Sequence, residues 1–364
     1  MVSNKICLVL PCNLYVVPYF RVYESMLKEL NQDYDILIWN RSLIEEKCNG
    51  TIYSYDKQDI ANNKDPKKIV KYFGFYRFVK NHLQKNNYSK VVFLDTSACT
   101  VVLLASYMKK YYYKKYWIDI RDYSFENVPI YKKMLKKAID SAYCVDISSR
   151  GFLDFLPPLD DYCVTHNIDY ETIEKVKDTP RVDSERIRIS FIGNVRYYDL
   201  NKQLLLKFKN DERFLIQFFG TGSEELENFC VENNISNCKF LGRFPYERTP
   251  ELYQETDLIN NIYGNTTMEV KTALSNKLYY SMYLDKPILV SPNTYMSELV
   301  TKYNLGFVVD YDNENLVEDL YKWYKEYIKI ANAARIDAIK DVETDFRDYK
   351  RRFKSFVMGE ENVY

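Results

Sequence analysis

The chain has 364 residues, too many for one ordinary core and enough for two domains. Apolar residues make up 46% and charged residues 28%, as expected of a soluble globular protein, and 51 basic side chains balance 51 acidic ones, so no global field favours nucleic acid. Only two histidines are present, and the eight cysteines (Cys7, Cys12, Cys48, Cys99, Cys144, Cys163, Cys230 and Cys238) form no C-x-x-C pair, which argues against a zinc site and for a reducing compartment.

The N-terminal "MVSNKICLVLPCNLYVVPYF" is broken by Pro11 and reads as a buried first strand, not a secretory leader. No run reaches the roughly eighteen apolar residues that a membrane span needs. Short apolar runs then alternate with helical patterns. Strands are predicted at 5–10, 35–39, 90–94, 116–120, 142–147 and 161–165, and helices at 19–30, 66–84 and 129–139. The strands are continuously apolar, as in parallel sheets buried on both faces. The charged stretch 169–186, with Pro180 and little apolar periodicity, reads as a linker. The alternation restarts with strands at 187–193, 214–220, 238–242, 257–263, 286–291 and 306–310, and a helical tail runs from Asn315 to about Val357. Two consecutive Rossmann-like domains follow. Ligands of such sheets bind beyond the carboxyl ends of the strands.

Two strand–glycine–helix junctions stand out. In "SFIGNVRYYDLNKQ" the strand ends at Gly193 and Asn194, a helix begins near Asp199, and Arg196 and Lys202 sit near its N-terminus. Backbone amides, the helix dipole and two cations suit a diphosphate there, and a solvated loop with two surface cations suits the pattern equally. In "FFGTGSEEL", Gly220 and Gly222 bracket Thr221 and Ser223 is a plausible helix cap. Glu224 and Glu225 would oppose a phosphate at that helix. The junction therefore reads as the wall of a nucleoside or sugar pocket, or as a structural turn.

The order "FIGNVR", "FFGTGSEEL", "CKFLGRFPYERTPELYQETDL", "NKLYYSMYLDKPILVS", "ELVTKYNLGFVVD" resembles the C-terminal domain of family 4 glycosyltransferases, over roughly residues 140 to 325. "VTHNID" (164–169) resembles the segment that leads into that domain, with His166 and Ile168 as departures; His166 reads as structural. The resemblance implies an α/β, GT-B fold of two Rossmann-like domains facing across a cleft. Residues 1–169 would be the acceptor domain, 170–186 the linker and 187–340 the nucleotide-sugar domain. Residues 341–364 would form a C-terminal helix returning to the first domain. It further implies that Arg196 and Lys202 bind the donor diphosphate, that Arg243 and Phe244 lie beside the nucleobase, and that Lys277 and Leu278 adjoin phosphates and ribose. Pro287 would be structural.

Where the family carries two glutamates, this chain has Thr272 and Tyr280, with Glu269 close to the first but out of register. A tyrosine hydroxyl offers one donor where a carboxylate accepts from two ribose hydroxyls. Tyr280 would therefore bind ribose differently, stack, or pack in the core.

In the first domain, "WIDIRDYSFENVP" places Asp119, Arg121 and Asp122 at a strand end, where charge must be paired or used. Asp122 is assigned to acceptor positioning, with Arg121, Asn13 and Arg21 as further acceptor candidates; an Arg–Asp pair fixing a loop is the structural alternative. From Lys57 to Lys137 there are 18 Lys and Arg against 6 Asp and Glu. Within this stretch residues 108–139 hold a basic, partly aromatic pattern that places Ile130, Met134 and Ile139 near one helical face, a membrane-surface signature.

The reading that follows is a cytoplasmic glycosyltransferase (a hexosyltransferase), peripheral to the membrane. It would move sugar from a nucleotide sugar to a glycan, lipid-linked in capsule or other surface polysaccharide synthesis. Retention of configuration, no cofactor and no metal are expected, and nucleic acid is not. The alternatives are a degenerate, binding-only relative and a sugar-nucleotide epimerase on the same architecture.

Overall fold

The computed structural model describes residues 5–59, 68–94 and 100–360, the side chains of 68–70 excepted. It divides into two compact units, residues 1–166 with 344–364, and residues 167–343. In the first, strands β1 (Ile6–Leu10), β2 (Tyr34–Asn40), β3 (Thr51–Asp56), β4 (Lys90–Leu94), β5 (Tyr116–Ile120), β6 (Cys144–Ile147) and β7 (Cys163–Val164) form one parallel sheet in the order β3-β2-β1-β4-β5-β6-β7. Its helices are α1 (Phe20–Glu29), α2 (Lys68–Asn86), α3 (Thr100–Tyr111) and α4 (Pro129–Ser141). Every residue of β1, β2 and β5 is buried, which is why these runs read as continuously apolar. Strand β3 has no such signature: it is an edge strand whose Thr51, Tyr53 and Ser54 are exposed. Residues 66 and 67 of the expected second helix, and Cys99, lie outside the described residues.

The second unit opens with α5 (Tyr170–Asp178), inside the stretch read as a linker. Asp169 caps it, accepting from the Thr172 amide at 3.1 Å, and Ile173 and Val176 are buried. Two apolar residues three apart suffice once a core receives them, and they are too few to stand out among ten charges. Strands β8 (Ile187–Ile192), β9 (Phe214–Phe219), β10 (Cys238–Leu241), β11 (Leu258–Asn261), β12 (Ile288–Val290) and β13 (Gly306–Val308) pair in parallel in the order β10-β9-β8-β11-β12-β13. The order of strand addition reverses between β8 and β11, the place where such sheets open a ligand crevice. Helices α6 (Tyr198–Lys207), α7 (Glu224–Glu232), α8 (Thr249–Gln254), α9 (Met268–Thr272), α10 (Asn276–Leu284), α11 (Tyr295–Lys302) and α12 (Leu316–Tyr327) connect them. Ser223 precedes α7 without a side-chain cap bond.

The last helix, α13 (Ala333–Met358), starts in the second unit and belongs to the first from Thr344 onward. Its Tyr349, Phe353 and Phe356 are fully buried against Trp117 and neighbours of the first unit's core, with Phe353 and Trp117 ring centroids 5.4 Å apart. Asp345 receives both guanidinium nitrogens of Arg150 at 2.6 Å and faces His166 Nε2 at 3.1 Å, so the histidine belongs to this contact. Burial works to raise the Asp345 carboxyl, but His166 and Arg150 together hold it below the usual value.

Candidate functional site

At the carboxyl ends of β8, β9, β11 and β12 lies a cavity of about 670 Å³, wholly within the second unit. Two loops shape its floor. The Gly193 amide donates to Phe219 O at 2.9 Å and the Val195 amide to Thr221 O at 2.9 Å, drawing the two junctions together. The approach is so close that a Cβ on Gly220 (φ 143°) would sit 1.7 Å from the Gly193 carbonyl oxygen. Gly220→Ala is therefore expected to destabilise the protein by on the order of 3 kcal/mol or more and to open the cavity floor, as urea unfolding would show. Tyr197, at φ 60°, is the left-handed residue that turns the chain into α6, and its ring stacks on Tyr263 at 4.5 Å.

The cavity's charge is one-sided. Arg196, Arg243 and Lys277 line it, with Glu269 as the one lining carboxylate among the described residues. Lys277 is buried; its ammonium donates to Asn260 O at 3.0 Å and lies 3.4 Å from the centre of the Phe191 ring. Burial, and then the Arg196 guanidinium, push this amine well below its ordinary value. The N-terminal residues of α10 (Ser275, Asn276) and α11 (Thr294, Met296) line the same space and add their dipoles. Asn261 Oδ1, at the end of β11, is buried without a hydrogen-bond partner. Three cations, helix N-termini and an orphan acceptor suit an anion carrying hydroxyl or amide donors.

Of the residues expected at a donor site, Gly193, Asn194, Arg196, Gly220, Thr221, Arg243, Phe244, Lys277 and Tyr280 line the cavity together. Three others do not. Lys202 projects from α6 toward Glu225, bonding its Oε1 at 2.6 Å, because a helix position one residue past the inward-facing Asn201 points away from the floor. The Thr272 hydroxyl is buried and donates to Met268 O at 2.8 Å. Leu278 packs in the core beneath. Glu269, out of register in sequence, reaches the cavity in place of Thr272.

Tyr280 is half of a different arrangement. Its ring stacks on Tyr253 at 4.3 Å and its hydroxyl donates to Asp169 Oδ2 at 3.0 Å. Tyr246, which also donates to that carboxylate, bonds Thr172 at 2.9 Å. Burial would raise the Asp169 carboxyl, but Tyr246, Thr172 and Tyr280 keep it below its usual value. A carboxylate thus meets the position where Tyr280 stands, supplied from position 169. Tyr197, Tyr246, Tyr253, Tyr263 and Asn261 all line the cavity and carried no signal in the sequence, since 35 tyrosines make any single one uninformative.

In the first unit the acceptor candidates separate. Asn13 is buried and engaged, donating to Asn40 and Glu46 at 2.9 Å each and accepting from the Ser42 amide at 3.0 Å. Arg121 is likewise engaged: its Nη2 donates to Asp119 Oδ2 at 2.8 Å and its guanidinium lies 4.1 Å from the centre of the Tyr19 ring. Tyr23 joins the same carboxylate at 2.8 Å, so Arg121 neutralises buried acid and fixes the loop after β5. Asp122 and Arg21 are exposed. On α4, Ile130 is exposed, whereas Ile139 is buried in the core, so the two do not share a surface.

Among the described residues no helix is long and apolar enough to cross a membrane, and no group of three His, Cys, Asp or Glu is placed to hold a metal ion. The seven cysteines among them are free thiols.

No family model matches the sequence. No curated protein matches it either. Solved structures do. Sucrose-phosphate synthase from Thermosynechococcus elongatus superposes with a TM-score of 0.70 at 9% identity, over 98% of this chain and all of that one. A glycosyltransferase from Rickettsia africae gives 0.67 at 13% identity, over 98% and 99% of the two chains. Anabaena HepE, solved with UDP and glucose, gives 0.62 at 13% identity, over 96% and 99%. A likeness that spans both units at such low identity shows the architecture: the chain has the α/β GT-B fold of two Rossmann-like units.

Proposed function

We propose that the chain is a glycosyltransferase whose second unit binds a nucleoside-diphosphate sugar in the 670 Å³ cavity. The observation that carries this reading is the pairing of Arg196 with the buried Lys277 amine at the switch point of the sheet. A buried amine resting on one carbonyl and an aromatic face, beside a guanidinium, is a site waiting for an anion. Arg196 and Lys277 neutralise the diphosphate as it departs, taking the role the sequence suggested for Arg196 and Lys202. Tyr197, Tyr263 and Arg243 wall the remainder, and Asn261 accepts from a ligand donor. The first unit takes a glycan acceptor, with Asp122 and Arg21 its exposed candidates. Transfer proceeds with retention and without a metal, so chelator leaves it unchanged. The lysines of 108–139, together with exposed Tyr111, Tyr113, Phe125 and Ile130, hold the enzyme on an anionic membrane surface where lipid-linked surface-polysaccharide acceptors reside.

Thermal unfolding of the purified protein with UDP, GDP, ADP and CMP tests the donor site. A ligand at a hundred times its dissociation constant adds about 2.7 kcal/mol, a visible shift. The solved HepE complexes with UDP and with UDP-glucose make UDP the first to try. Stabilisation by one diphosphate supports the reading; no shift with any of the four sinks it. A second reading, binding without turnover, is favoured by the engagement of Tyr280 with Asp169 and of Thr272 with its own helix. Stabilisation by a nucleotide whose sugar is never released to any acceptor or to water would select it.

A further inference from the structure

A second cavity, of about 590 Å³, opens at the amino-terminal edge of the same sheet, ahead of β11 and β12. It is also cationic: Lys177, Arg181, Lys286 and Arg335 line it against Asp257 and Asp285. Both acids are already engaged. Asp257 accepts from the Arg188 side chain at 2.8 and 2.9 Å and from its amide at 3.0 Å, while Asp285 pairs with Arg335 at 3.0 Å. Lys286 remains. Its ammonium donates to Thr256 O at 2.7 Å and forms no ion pair among the described residues. Burial holds that amine down to about 8. Arg181 reaches Asp257 only at 3.6 Å, behind Arg188, and its side chain is 66% exposed. With Lys177 paired to Glu174 at 2.7 Å, two cations are in surplus, one a point charge and one a planar fork, around an opening walled by Tyr324 and Tyr327.

We propose that this cavity binds a phosphomonoester of a small polyol or sugar, its phosphate between Lys286 and Arg181 and its carbon skeleton against Tyr324 and Tyr327. The double charge of a phosphomonoester matches two surplus cations, where a carboxylate would leave one unmet. Helix α10 lines both cavities, with Lys277 at its start, Tyr280 at its middle and Tyr283 near its end, so the ligand sits one helix from the donor site. The proposal stands on this cavity alone and does not depend on the donor reading.

Isothermal titration calorimetry of the full chain with inorganic phosphate and glucose 6-phosphate, and with glucose as the uncharged control, tests it. Glucose 6-phosphate is expected to bind saturably and glucose not at all. Lys286→Gln and the exposed Arg181→Gln should each weaken binding about tenfold or more, and Arg196→Ala should leave it unchanged. Arg181→Gln removes no buried group, so its result is read on a folded protein. Lack of binding to wild type overturns the proposal, as does binding that Arg196→Ala abolishes and the other two variants keep, which would put the phosphate in the donor cavity. The UDP shift is measured separately, so either site can fail without the other.

Discussion

Arg196→Ala is expected to lower turnover of the nucleotide sugar by about 10²–10³-fold, while Lys202→Ala leaves it within about twofold of wild type. The contrast follows from geometry. Both cations flank the N-terminal turn of α6, but Arg196 lines the cavity and Lys202 is turned to Glu225 on the surface. Removing Arg196 withdraws charge from where a departing diphosphate gathers it; removing Lys202 breaks an exposed pair that solvent already screens. Steady-state rates of the two variants with the donor found by thermal shift decide the matter. Equal losses would return Lys202 to the diphosphate, and a near-normal Arg196→Ala would remove the diphosphate scheme altogether.

Lys277→Met is expected to move stability and binding in opposite directions. Burial and Arg196 depress the amine's pKa below the ordinary 10.5. Between the depressed value and 10.5 the unfolded chain binds more protons than the folded one, so stability rises with pH across that window. Below the window the full penalty of a buried charge is present. The methionine, similar in length and free of charge, should therefore raise unfolding stability at pH 7 by about 1 kcal/mol, net of the lost bond to Asn260 O, with the gain shrinking as pH approaches 10.5. It should also abolish stabilisation by UDP. A variant less stable than wild type at pH 7, or one still stabilised by UDP, would show that the amine is a structural tether.

How much of this was legible depends on where a residue's constraint comes from. Strands β1, β2 and β8 announce themselves because both faces are buried and no polar residue interrupts them for long. Strand β3 is held by its neighbour β2 alone, so its polar face hides it, and α5 is helical because a core and a capping aspartate receive it. The same division runs through the cavity. Glycines at strand ends are fixed by local geometry, and Gly193 and Gly220 could be read directly. Which way a helical side chain points depends on the sheet beneath, and that is why Lys202, Thr272 and Leu278, expected at the donor site, do not line the cavity. Asp169, which meets Tyr280 across 111 positions of sequence, belongs to a contact that no local pattern encodes.

The first unit is closed by residues from Thr344 onward, which are made only after the whole of the second unit. While the ribosome is still at work, Tyr23 and Trp117 have no Tyr349 or Phe353 to cover them. The second unit, encoded without interruption, has all its partners beforehand. Folding during synthesis therefore runs against the order of translation: the segment made first is finished last, and a chain extended only as far as Glu343 holds every residue of the second unit and leaves an open apolar face on the first for chaperones to guard.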